Sequence, residues 1–246
     1  MLFLKNGVDV FGKQIELLIL DDKIFKVGEK ILESEIEEFK KENSDKNLKI
    51  IDLNGKLVMP GVIDIHTHMR EPGFTYKEDF ATGSRACAKA GITTFYDMPN
   101  TIPTTTSLKA LEEKKKLAAR KSIVNYGFHF GGSKNDNASE IKKVLESGKV
   151  NTVKIFMNVS TGEMLIKDDE ILKKVFENSK LVLVHAENEM IDKALKLNKD
   201  YGNGLYVCHI PSKEELIKVL NAKKDKDFNN EKHPIYAEVT PHHLFL

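Results

Sequence analysis

The sequence predicts an α/β fold, a (β/α)8 barrel of TIM type behind a small N-terminal β region, and three observations carry that expectation. Short β-rich runs alternate with amphipathic stretches from residue 62 onward, the pattern of parallel βαβ units. Polar side chains capable of chemistry end or closely follow nearly every one of those runs. A barrel gathers its C-terminal strand ends at one mouth, whereas an open sheet scatters them. The 246 residues, 41% hydrophobic and 30% charged, are ample for a sizeable core and typical of globular chains.

Residues 1–28 alternate as strands, with Gln14 to Leu20 and Lys23 to Val27 joined through Asp21-Asp22 as a hairpin. Residues 29–49 change character. Ile31, Leu32, Ile36 and Phe39 fall at roughly helical spacing among Glu and Lys residues, which predicts a solvated helix or insertion. Ile50 to Leu53 turn apolar again, and Asn54-Gly55 marks a turn. The expected division is therefore 1–57, the β region with its helical insertion, and 58–246, the barrel. Its strand candidates are Val62 to His66, Thr93 to Asp97, Val124 to Phe130, Val153 to Met157, Leu181 to His185, Leu205 to His209 and Ile235 to Val239. Helices are expected at Tyr76 to Ala90, Ser107 to Arg120, Ala138 to Ser147, Asp168 to Asn178, Met190 to Asn198 and Ser212 to Leu220. Seven strands fall one βα unit short of closure, which predicts an exposed strand edge.

Charge is nearly balanced, with 38 Lys plus Arg against 37 Asp plus Glu, a formal +1 that supplies no field to gather nucleic acid or an anionic membrane. No apolar run approaches the roughly 18 residues of a spanning helix, and no basic segment precedes the apolar start. Cys87 and Cys208 are too few for a disulfide framework and lack zinc-ribbon spacing, so they are read as buried thiols of a cytoplasmic protein. Arg70, Arg85 and Arg120 are the chain's arginines. Against a lysine-rich background, Arg70 stands out as a place where a planar guanidinium is needed.

The strongest local feature is Asp64-Ile65-His66-Thr67-His68 at the end of an apolar strand. Side chains at i and i+2 share a strand face, so two imidazoles can reach one metal. Alone this spacing is an ordinary accident. His185 and His209 also end strands, and imidazole nitrogens suit Zn²⁺. For Lys154 the alternatives are a group held among Val153, Ile155 and Phe156 or a snorkelling surface lysine. For Arg70 the ordinary fate is an ion pair with Glu71, and for Asn100 a loop cap. Asp64 is read as an acceptor buttressing a histidine, Asp97 and His129 as structural residues at strand ends, and one of His242 and His243 as fixing a loop beside the site.

The run Met59-Pro60-Gly61-Val62-Ile63-Asp64-Ile65-His66-Thr67-His68-Met69-Arg70-Glu71-Pro72-Gly73 resembles the signature of dihydroorotases in the cyclic amidohydrolase superfamily. Gly91 to Thr101, Val153 to Met157, Val184 to Glu187, Cys208 to Ile210 and Ala237 to Leu244 agree in order, so the resemblance covers almost the whole chain. It implies zinc, one ion or two, held by His66, His68, His185 and His209, with Lys154 as a carboxylated bridging ligand. It implies substrate binding by Arg70 and Asn100, which match the family positions that hold the substrate carboxylate. The implied reaction is reversible cyclisation of N-carbamoyl-L-aspartate to L-dihydroorotate in pyrimidine synthesis, with hydroxide generated at the metal as nucleophile.

Two departures stand beside the resemblance. The family's strand-eight aspartate is not present in this sequence, so no catalytic base is assigned, and the simplest expectation is that the 246 residues are part of a longer enzyme. The connection from His185 to His209 is short and lacks the Arg-Pro segment that relatives carry there. Two alternatives remain: a related cyclic amidase of the hydantoinase or allantoinase kind, and an inactive dihydroorotase-like scaffold. Expected partners are a small-molecule substrate, a second copy of the chain in a homo-oligomer, and aspartate transcarbamoylase.

Overall fold

Alternating burial along the first residues becomes a four-stranded sheet in the computed structural model, which describes residues 1–160 and 162–245. Strands β1 (Leu2–Val8), β2 (Gln14–Leu20) and β3 (Lys23–Gly28) pair antiparallel, and β4 (Lys49–Asp52) joins β1 in parallel, in the order β3-β2-β1-β4. Asp21 takes a positive φ of 53° in the β2–β3 turn, and Asn54 and Gly55 take 50° and 75°. These are conformations that hairpin turns demand and that Asp, Asn and Gly accept most readily. Helix α1 (Glu33–Glu42) buries Phe39 against Phe3, Leu18 and Ile31. Leu32, expected on that apolar face, is instead the residue before the first turn and is 57% exposed, because the helix begins one residue later. Contacts divide the chain into two units, Met1–Gly61 and Val62–Leu246.

The second unit alternates β5 (Val62–Thr67), α2 (Phe80–Ala90), β6 (Ile92–Asp97), α3 (Leu108–Lys121), β7 (Asn125–Phe128), β8 (Phe130–Gly131), α4 (Ala138–Glu146), β9 (Val153–Phe156), α5 (Asp169–Glu177), β10 (Val182–His185), α6 (Glu189–Tyr201), β11 (Leu205–Val207), α7 (Lys213–Lys224), β12 (Ile235–Ala237) and α8 (Pro241–Phe245). All pairing is parallel, in the orders β5-β6-β7 and β12-β11-β10-β9-β8, so that β5, β7, β8 and β12 are the end strands. Helix starts follow from capping side chains. Asp79, Ser107, Asp168 and Ser212 each accept a backbone N–H of the first turn, and Gly91 closes α2 at φ 80°. Strand β9 is buried at every position, as a parallel strand covered on both faces must be, and Phe80, Phe95, Phe130, Val153, Ile155 and Val184 lie in one continuous core.

Two expectations need correction. The run Val124 to Phe130 is two strands, because β7 pairs with β6 while β8 pairs with β9, and the chain changes sheets at His129. Helix α2 starts at Phe80 rather than Tyr76: Asp79 supplies the cap, and Tyr76 lies in a preceding turn, 78% exposed.

Candidate metal centre and active site

Parallel strands deliver the chemistry-bearing residues to one end. His66 lies near the end of β5 and His68 just past it, Lys154 lies on β9, His185 ends β10, and His209 follows β11 by two residues. The rings of His66 and His68 are 5.5 Å apart between centroids, those of His66 and His209 5.3 Å, and those of His185 and His209 4.8 Å. His185 Nδ1 and His209 Nε2 approach to 3.0 Å. Lys154 is 1% exposed, which removes the snorkelling alternative, and its Nζ donates to Cys208 Sγ at 2.9 Å. The four histidines and Lys154 are thus brought together.

Two residues in this cluster carry no role in the sequence reading. Glu238 follows β12; its Oε1 meets His66 Nδ1 and accepts the His209 backbone N–H at 3.2 Å, and its Oε2 accepts the Tyr206 hydroxyl at 2.9 Å. Cys208, read as a buried thiol, is buried and free, but its sulfur faces the site. Ligand atoms of His66, Cys208 and Glu238 lie within 4.8 Å of one another. The signal for Glu238 was present: like the histidines, it follows directly on a strand end.

The electrostatics suit a cation. Burial, and then the Arg70 charge, pushes His68 down to about 3, and burial with the Lys154 charge pushes His209 down to about 4 and lowers His185. These imidazoles are therefore neutral near pH 7, the form that ligates metals. His66 behaves differently. Burial lowers it, but hydrogen bonds with Cys208 and Glu238 outweigh that and raise it to about 9. A carboxylate on one ring nitrogen fixes the ring so that the other faces the centre, an arrangement common to metal-binding histidines. His185 Nε2 is buried without a hydrogen-bond partner, with the Glu187 carboxylate 3.9 Å away. A buried, unsatisfied imidazole nitrogen among neutral imidazoles and a carboxylate is a donor set that a divalent transition metal fits.

Arg70 and Asn100 border the same site. Arg70 does not pair with Glu71, whose carboxylate binds Lys121 and accepts the Phe80 N–H. Its Nη1 is buried without a partner, and its backbone sits at φ 57°. Asn100 is buried and hydrogen-bonded to His68. Asp64 accepts the backbone N–H of His66 at 3.0 Å rather than a ring nitrogen, so its buttressing acts on the main chain. His129 ties the strands from inside, with its ring nitrogens on the Ile65 carbonyl at 2.7 Å and on Thr152 Oγ1 at 2.6 Å. His242 and His243 are exposed on α8 and make no side-chain hydrogen bond among the described residues, so neither fixes a loop at the site.

Residues 57–232 match the model of the amidohydrolase family. The chain belongs to that family. Among the family's members, it is 31% identical over its full length to the dihydroorotase of Methanosphaera stadtmanae, of which it spans 60%. It is 32% identical over 76% of its length to the multifunctional protein CAD of Squalus acanthias, of which it spans 8%. Its fold superposes on the L-hydantoinase (dihydropyrimidinase) of Arthrobacter aurescens with a TM-score of 0.81 at 25% identity, covering all of this chain and 59% of that one. The amidohydrolase fold of this chain is therefore the TIM-type barrel architecture that its strand order predicts.

Proposed function

We propose that this amidohydrolase is a zinc-dependent dihydroorotase, interconverting N-carbamoyl-L-aspartate and L-dihydroorotate with its barrel residues 58–246. The observation that carries this reading is the buried, unpaired Arg70 Nη1, whose charge is felt by His68, the histidine that Asn100 hydrogen-bonds. A buried guanidinium nitrogen without a protein partner, next to a metal-binding cluster, suits a substrate bearing a carboxylate remote from the reacting amide. The similarity to proteins named dihydroorotase supports the same substrate.

In this reading His66, His68, His185 and His209 would hold the metal, one ion or two, with Lys154, carboxylated on Nζ, as a further anionic ligand. The metals, when bound, supply polarisation of the ring carbonyl and activation of water. Glu238 fixes the His66 ring and the His209 main chain, keeping the donors in place before a metal arrives. Arg70 grips the substrate carboxylate with a bidentate fork, and Asn100 bridges between that carboxylate and His68. These contacts orient the ureido nitrogen toward the carbonyl it must join.

We assign the protein to the cytoplasm, the compartment expected for an enzyme of this reaction. Relatedness to a protein named multifunctional supports association with another enzyme, and aspartate transcarbamoylase, as the source of N-carbamoyl-L-aspartate, is the partner we assign, with a homo-oligomer as the assembly. The test is steady-state turnover of full-length protein on N-carbamoyl-L-aspartate, dihydroorotate, hydantoin and allantoin, with metal content measured in parallel. Dihydroorotate chemistry well above the others supports the reading. Preference for hydantoin or allantoin replaces it with a cyclic amidase, and metal-loaded protein inert toward all four replaces it with a scaffold.

A further inference from the structure

Asp97 and Lys114 are an ion pair buried outside the metal centre, each side chain 1% exposed, with Nζ and Oδ2 2.6 Å apart. Stability alone gives little reason for such a pair, because the desolvation of two charges offsets their attraction and apolar replacements are often as stable. What the pair does is visible in its remaining bonds. Asp97 Oδ1 accepts the Met69 N–H at 2.7 Å, and Lys114 Nζ donates to the Met98 carbonyl at 2.7 Å. Met69 immediately precedes Arg70, and Met98 lies two residues before Asn100. Two further bonds cross at the same level: Met98 N–H to the Thr67 carbonyl and Thr67 Oγ1 to the Tyr96 carbonyl, both 2.9 Å. The ends of β5 and β6 are thereby locked in one register, and Arg70 is held at a positive φ that its side chain does not favour.

We infer that Asp97 and Lys114 are positioning residues, a buried charge pair that fixes the relative placement of Arg70 and Asn100 and so sets the geometry of the carboxylate clamp. The inference rests on the proposed function for what the clamp binds, but the mechanical link between the two loops stands apart from it. Leu111, Lys114 and Ala118 share the buried face of α3, so the lysine reaches the strand ends from a helix seated in the core.

The test is the double variant Asp97→Asn with Lys114→Met in the full-length, metal-loaded protein. It removes both charges together, so neither is stranded, and keeps an amide oxygen for the Met69 N–H. Hydrogen exchange by mass spectrometry is expected to quicken in 67–74 and 97–106 while the other strands and the metal content are unchanged. In kinetics, KM for N-carbamoyl-L-aspartate is expected to rise about tenfold, the loss of roughly one well-made charged hydrogen bond, with kcat changed far less. Unchanged exchange in the two loops, or exchange raised evenly through the barrel, overturns the inference. So does an unchanged KM in a protein that turns this substrate over. If the wild-type protein lacks that activity, the proposed function fails while the exchange result still decides the positioning role. Should the double variant not fold, Asp97→Glu, which keeps both charges and lengthens the link between them by one methylene, is judged by the same two readouts.

Discussion

Replacing Arg70 with glycine separates what this residue does for the fold from what it does for a ligand. Its backbone lies at φ 57°, and its Nη1 is buried without a partner. The left-handed conformation costs an L-residue about 1 kcal/mol that glycine does not bear. A buried donor left unsatisfied costs about 1–3 kcal/mol more. Against these, glycine loses roughly 0.5–1 kcal/mol of extra backbone entropy on folding, and the apolar stem of the side chain is lost. The balance predicts that Arg70→Gly is as stable as the wild type or more stable by about 1 kcal/mol. Function moves the other way. A bidentate grip on a carboxylate comprises two charge-assisted hydrogen bonds worth about 1.5–3 kcal/mol each, so kcat/KM should fall by roughly 10²–10⁴-fold. Arg70→Lys, which keeps the charge without the fork, should fall between the two. Thermal unfolding of the metal-loaded protein and kinetics on N-carbamoyl-L-aspartate check both halves. A Tm lowered by several degrees would mark Arg70 as a structural residue, and kcat/KM within tenfold of wild type would refute the clamp.

Other expectations follow from the same geometry. Burial holds His129 down at about 4, below its ordinary value of 6.5, so the unfolded chain binds the extra proton first as pH falls. Its contribution of about 3 kcal/mol is full above pH 6.5 and is lost between 6.5 and 4, so His129→Gln should flatten acid denaturation curves over that window. Glu238→Gln, which weakens the carboxylate's hold on His66, should reduce metal affinity roughly 10–100-fold in chelator competition while far-ultraviolet circular dichroism is retained. Gly73 sits at φ 96°, with an added Cβ only 2.5 Å from Ile102 Cβ and 2.8 Å from its carbonyl oxygen. Gly73→Ala should therefore destabilise by about 2 kcal/mol or more in denaturant unfolding.

The positions of the metal-binding candidates were legible because they obey two local rules: the period of two along a strand, and the convergence of parallel strand ends. His66 and His68 follow the first and all four histidines the second, and the structure brings their rings together. The break in the run Val124 to Phe130 was not legible. Nothing in Val-Asn-Tyr-Gly-Phe-His-Phe says that its halves pair with different neighbours, since that choice is made by β6 and β9, far away in sequence. Boundaries such as the start of α2 depended on which of several polar residues supplies the cap, and Asp79 wins by reaching the Thr82 N–H.

Lys114 is buried although it sits in the charged run Glu112-Glu113-Lys114-Lys115-Lys116. Helical spacing accounts for this, because Leu111, Lys114 and Ala118 fall at i, i+3 and i+7 and so share one face. That placement alone would have flagged the lysine as needing a buried anion. A strand-ending aspartate was already in view as a structural residue, and Asp97 is the carboxylate that meets it. Glu238 and Cys208 were harder to read, because a carboxylate after a strand and a thiol beside a histidine have ordinary explanations. What separates them from those explanations is three-dimensional: one ring, His66, lies between both. His66, on β5, meets residues that follow β11 and β12, so its partners are set by the barrel's curvature, which is a property of strand packing and not of any local run of sequence.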